Sequence, residues 1–315
     1  MGLDVPPREA VPYGLRAMKT VALADGTFAA IEKRLMTAAA AMLGTKVDLD
    51  ALEPITAEEL AANVPERRLR EQLIGGMLVL AMADEDVSDD EIAVIGDFSR
   101  ALHVPASYVR ELRRLARGHV SLVRYDLARR PWVREKVAAK AEGEGLPWIA
   151  KTVAAMEEHT PDPELADRYR ELASLPVGTL GHAYAQLMRD NDFALPGEKG
   201  APPERVALHD MTHVLTGYGT DPTGEMEIAF FHAGAKRADP FFFTFFIMLQ
   251  SHLGISAAPS SRAEEAFFDP ERCLRALSRG SQSLVDPLEG WDPWPVVSVP
   301  VAELRERYRI GDPPA

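Results

Sequence analysis

The 315 residues exceed the usual size of one domain, and 46% hydrophobic with 26% charged residues describe a chain that folds, which excludes wholesale disorder and a multi-span membrane protein. A formal charge of −13 excludes the broad positive surface that non-specific nucleic-acid binding needs, so no nucleic-acid partner is expected. Cys273, the single cysteine, excludes an internal disulfide and a thiolate cluster for zinc; this suits a reducing compartment and leads to a cytoplasmic expectation, with no secretory signal in MGLDVPPREAVPYGL.

In chain order, the first third carries a weak repeat. VALADGTFAAIEKRLM at 21–36 lines up with LAMADEDVSDDEIAVI at 80–95, an offset of 59 residues. Each copy predicts helix, acidic turn, helix: Leu73, Met77 and Leu80 are at helical spacing before the turn, Ile92, Ile95 and Leu102 after it. Asp25 and Glu32 in the first copy correspond to Asp84 and Glu91 in the second. Two readings stand for these four carboxylates: an oxygen-rich second cation site, or helix caps that answer exposed backbone N–H groups.

The stretch from Arg110 to Lys140 carries +7 while the remainder of the chain carries −20, and Pro131 breaks its helical pattern. It reads either as a solvated helix face or as a docking surface for anionic lipid or an acidic partner, the latter implying peripheral contact at an inner membrane surface. EGEGLPW at 142–148 is a plausible hinge. The expected organisation is a first helical domain over 1–145, a connecting segment over 146–170 and a second domain over 171–315. Long alternation of apolar and polar residues is scarce, so the expected fold class is all-α. PFFFTFFIMLQSHLGI, from Pro240 to Ile255, is shorter than the ~20 apolar residues of a membrane span. Its Phe241, Phe242, Phe243, Phe245 and Phe246 belong either to an ordinary buried helix or to a lipid-facing wall.

The strongest chemical signal is HDMTHVLTGYGTDPTGE at 209–225. His209 and His213 are four apart, so a helix projects both rings from one face, one turn apart. Asp210 is turned about 100° from His209 and about 60° from His213, within the same broad sector. The run from Gly217 to Gly224 has the composition of a chain reversal, after which EMEIAFFHAGA is again helical and returns Glu225 towards the histidines. Glu227 points to roughly the opposite side, and His232, about 10 Å further along the axis, is a lining residue rather than a ligand. Two imidazoles and two carboxylates make a divalent-metal site for zinc, iron, manganese or cobalt. A zinc peptidase is disfavoured, because the shorter Asp210 stands where such enzymes place a glutamate base.

HD-x-x-H, eleven residues, then E resembles the metal motif of the fourth coenzyme Q biosynthesis protein family (Coq-four). Two flanks share the resemblance: LPVGTLGHAYAQLM at 175–188, where His182 replaces a common arginine, and WDPWPVVSVPVAELRERYRI at 291–310. The resemblance implies an all-helical protein of ubiquinone biosynthesis that binds a polyprenyl lipid or quinone precursor. It implies either oxidative decarboxylation and hydroxylation at carbon one of the head ring, with Asp210 catalytic, or a non-catalytic scaffold for other quinone-biosynthesis proteins, with a homo-oligomer compatible with both. His182 and His232 would then line the site. The N-terminal repeat, through ALADGTFAAIE and AMADEDVSDDE, resembles the tellurite-resistance TerB-like helical domain, which implies a stress-response role as a further alternative.

Overall fold

The structure, a computed structural model, describes residues 4–81, 83, 88–104, 161–202, 204–235 and 269–312. The second-copy Asp84, the arginine-rich stretch, the hinge and the Phe241–Phe246 run lie outside the described residues. Among those described the chain is all-α, as expected, with eleven α-helices and no sheet. It divides into two compact units, one of residues 1–116 with 229–282, the other of residues 117–228 with 283–315.

The first unit contains α1 (Val11–Ala22), α2 (Ala30–Met42), α3 (Ala57–Asn63), α4 (Arg67–Ala81) and α5 (Asp89–Ala101). The repeat seen in the sequence is a repeat of structure: α1 ends at Ala22 and α4 at Ala81, while α2 begins at Ala30 and α5 at Asp89. Glu32 and Glu91 occupy the third position of α2 and α5 and turn back to cap them. The Ala29 N–H donates to Glu32 at 2.8 Å, and the Ser88 N–H and hydroxyl donate to Glu91, each at 2.9 Å. Asp25 accepts from the N–H and hydroxyl of Thr27, bonds that hold its carboxyl below the ordinary value. The described members of the acidic set thus serve turns and helix starts.

The unit is completed by α10 (Pro270–Gln282), which packs on α2, and by the residues from Ala229 onward in α9 (Pro222–Ala235). Met36, Leu60, Ile74, Met77 and Leu80 are fully buried, each contributing roughly 1.5–3 kcal/mol by leaving water. Lys19 is buried as well, and its ammonium donates to the Leu49, Asp50 and Leu52 carbonyls at 2.7, 3.2 and 2.7 Å, tying the α2–α3 connection to α1.

The second unit contains α6 (Pro163–Glu171), α7 (Leu180–Asp190), α8 (Arg205–Thr216), the start of α9 and α11 (Val301–Tyr308). The two stretches flanking residues 209–225 in sequence meet here. Leu180 and Gly181, opening α7, donate to the Val299 and Val297 carbonyls at 3.0 and 2.8 Å, and Val301 donates to Gly178 at 2.9 Å. The orphan N–H groups of one helix start are therefore satisfied by backbone from more than a hundred residues later. Arg168 lies over the Trp294 ring at 3.5 Å from its centroid, and Tyr169 packs edge-on against the same ring. No helix among the described residues is long and apolar enough to cross a membrane.

Candidate metal centre

The site begins with α8, which ends where Gly217 takes the left-handed conformation at φ 78° and donates to the His213 carbonyl at 2.8 Å. The next reversal is tight. A Cβ on Gly224 would fall 2.0 Å from the Gly219 carbonyl oxygen, so only glycine lets the two strands of the turn approach this closely. Asp221 then caps α9 by accepting from the Gly224 N–H at 2.9 Å, with Pro222 at the first helical position. Thr220 donates to Asn191 at 2.8 Å, which ties the turn to the end of α7. This geometry sets Glu225 in the first turn of α9, opposite the histidines of α8.

Three side chains converge. His209 Nε2 lies 3.2 Å from Glu225 Oε2, His213 Nε2 lies 3.3 Å from Glu225 Oε1, and the two Nε2 atoms are 3.2 Å apart. The edge of a tetrahedron with metal–nitrogen bonds of ~2.0–2.1 Å is ~3.3–3.4 Å, so three donors at these separations fit around one ion.

Tautomers reinforce this. His213 Nδ1 lies 3.2 Å from the Tyr218 carbonyl, which can only accept, so the ring proton is on Nδ1 and the Nε2 lone pair faces the cluster. His209 Nε2 lies 3.2 Å from both the His213 nitrogen and the Glu225 carboxylate, so its ring can serve either. The His213 side chain is fully buried, whereas those of His209 and Glu225 are 21% and 12% exposed, so the cluster opens on their side.

Asp210, also expected among the ligands, is buried but is not one of the three residues whose donor atoms converge within 4.8 Å. Its charge is felt instead at Tyr169, whose phenol donates to Glu204 at 3.1 Å. Burial, then Glu204, pushes that phenol far above its ordinary value, with Asp210 adding to the effect. His232 is buried on α9, edge-on to Phe231, and His182 is half-buried on α7. Glu227, two residues past Glu225, is buried outside the converging set.

Two contributors escaped the sequence reading. The Tyr218 carbonyl that orients His213 carries no residue-type signal, since any backbone could supply it. Arg305 of α11 donates to the Leu215 and Val214 carbonyls at 2.7 and 3.0 Å, satisfying carbonyls at the end of α8 from 90 residues away.

Neither a protein family nor a curated protein matches the sequence. Among solved structures, the chain is similar to a protein from Nostoc punctiforme provisionally described as a ubiquinone biosynthesis protein. The identity is 21%, the match covers 77% of this chain and 98% of that one, and the TM-score is 0.33.

Proposed function

We propose that this chain is a metal-dependent protein of ubiquinone biosynthesis that acts on the head ring of a polyprenylated, carboxylated benzenoid precursor. The observation that carries the proposal is the convergence of His209, His213 and Glu225 at 3.2–3.3 Å, on a motif whose order and spacing resemble those of the Coq-four family. Two imidazoles and one carboxylate with an open side are a donor set used by catalytic zinc and by non-haem iron(II) alike. When bound, the ion would hold the ring carboxylate and lower the energy of charge developing there.

The chain's own residues do the remainder. His213, locked through Nδ1 to the Tyr218 carbonyl, presents one fixed lone pair. Glu225 supplies negative charge that offsets part of the cation's. His209, on the exposed side, stands next to incoming substrate. Asp210 is carried in this reading as the acid–base group for exchange of the ring carboxyl for hydroxyl, in which the carboxyl leaves as carbon dioxide, dioxygen as the oxidant supplies the hydroxyl oxygen, and two electrons with two protons take its other atom to water.

The test has two readouts. Purified protein is expected to hold a stoichiometric divalent cation that His213→Ala removes. In cells lacking the gene, mass spectrometry of isoprenoid-quinone intermediates is expected to show a ring-carboxylated polyprenyl precursor, cleared by wild type and not by His213→Ala. An unchanged intermediate profile defeats the quinone assignment even if the metal is present. Asp210→Asn separates catalysis from scaffolding: a folded, metal-loaded variant that no longer clears the precursor marks a catalyst, whereas full clearance marks a non-catalytic metal brace.

A further inference from the structure

Tyr218, whose carbonyl orients His213, is itself held at its other backbone group. The Tyr218 N–H donates to the Thr216 hydroxyl at 3.4 Å, and that hydroxyl donates to the Thr212 carbonyl at 2.7 Å, with the His213 carbonyl more distant at 3.5 Å. A hydroxyl has one proton to give. With that proton directed at a carbonyl of α8, the Thr216 oxygen acts towards Tyr218 as an acceptor. Tyr218 is thus fixed on both sides of its Cα, its N–H on Thr216 and its carbonyl 3.2 Å from His213 Nδ1.

The whole chain of contacts is out of bulk water. Thr212 and Thr216 are fully buried, and His213 and Tyr218 are nearly so, which leaves little solvent to compete for the Tyr218 N–H or carbonyl. Two threonines one turn apart on α8 also separate this arrangement from an ordinary helical one. Thr212 donates to the Leu208 carbonyl at 2.8 Å just as Thr216 donates to that of Thr212, a back-bond that slightly disfavours a helix. Thr216 is the one of the two that also receives a backbone N–H from the turn beyond the helix.

The proton at stake is that of the His213 ring. Neutral histidine in water carries its proton mainly on Nε2, and in His213 that nitrogen faces His209 and Glu225 at 3.2 and 3.3 Å. A ligand through Nε2 needs the other tautomer, and an acceptor held at Nδ1 selects it.

We infer that Thr216 is a positioning residue of the metal centre, holding Tyr218 so that its carbonyl keeps the His213 proton on Nδ1. This role rests on the proposed metal site and extends it, placing control of one ligand's proton on a residue outside the converging set.

Imidazole nitrogen NMR spectra of the metal-free, full-length protein report the His213 tautomer, assigned by the signals that His213→Ala removes, and zinc affinity is measured by competition with a chromophoric chelator. Thr216→Val removes the hydroxyl at nearly constant volume. It is expected to move the His213 proton from Nδ1 towards Nε2 and to weaken zinc binding by roughly tenfold. Thr216→Ser restores the hydroxyl and should return both readings to those of wild type, while Thr212→Val removes an equally buried hydroxyl and should leave the tautomer as it is. Thr216→Ala serves if the valine variant fails to fold. A wild type protonated on Nε2, a folded Thr216→Val with the wild-type tautomer, or a Thr212→Val that shifts it equally overturns the inference. So does a fall in zinc affinity with the tautomer unchanged, because packing alone would then account for the loss. A wild type that binds no zinc defeats the metal reading instead, and the tautomer spectra, recorded without metal, do not depend on it.

Discussion

His213 is held at both ring nitrogens, by the Tyr218 carbonyl at Nδ1 and by His209 at Nε2, each at 3.2 Å. Its partner Glu225 offers the cleanest test. Glu225→Gln keeps shape but replaces a charged acceptor with an amide that can donate, so it should lose the metal while offering the imidazole nitrogens an N–H when no ion is bound. The expected outcome is loss of bound cation by elemental analysis, together with a melting temperature in chelator no lower than that of chelated wild type. A variant that retains the metal would show that the two imidazoles bind it unaided. Asp210 illustrates how closely residues must be distinguished: one position from His209, its charge acts on the Tyr169 phenol and it is absent from the converging set.

At the scale of helices, the repeated caps allow a paired prediction. Ser88 accepts from the Glu91 N–H at 3.0 Å and receives Glu91 in return, a complete capping box, whereas Ala29 has no side-chain acceptor to offer Glu32. Ser88→Ala should therefore destabilise the protein by about 1 kcal/mol in urea denaturation, and Ala29→Ser, whose backbone already has the extended N-cap conformation, should stabilise it by ~0.5–1 kcal/mol.

The start of α10 gives a pH prediction. Burial raises the Asp269 carboxyl, but hydrogen bonds from the Arg272 N–H and from Glu271, together with the guanidinium of Arg34 3.8 Å away, outweigh it and hold the group below its ordinary value of 3.8. A depressed folded value means the contribution is complete above 3.8 and disappears as pH falls through the folded value. Stability should thus decline on acidification over that interval, and Asp269→Asn should flatten the decline measured by denaturation midpoints.

For the whole molecule, stability is expected to answer to the cation proposed for the second unit. A cation at a hundredfold excess over its dissociation constant stabilises the state that binds it by about 2.7 kcal/mol. Chelation should accordingly lower the melting temperature of wild type and leave chelated His213→Ala unmoved, as calorimetric scans would record. No shift in wild type would mean that the cluster holds its ion too weakly to matter for the fold.

How much was legible before the fold was known follows from the range of each interaction. The helical period alone set His209 and His213 on one face, because four residues and one turn coincide; the glycine-rich run and Asp221-Pro222 announced the reversal that returns Glu225. Helix starts at α2 and α5, and the 59-residue repeat, were likewise local and readable. The 3.2 Å approach of Glu225 to His209, the Tyr218 carbonyl on His213 and the reach of Arg305 to the end of α8 were decided by tertiary packing. Local preferences act within one or two turns, whereas these contacts depend on how side chains far apart in the chain fill space together, and no short stretch of sequence specifies that.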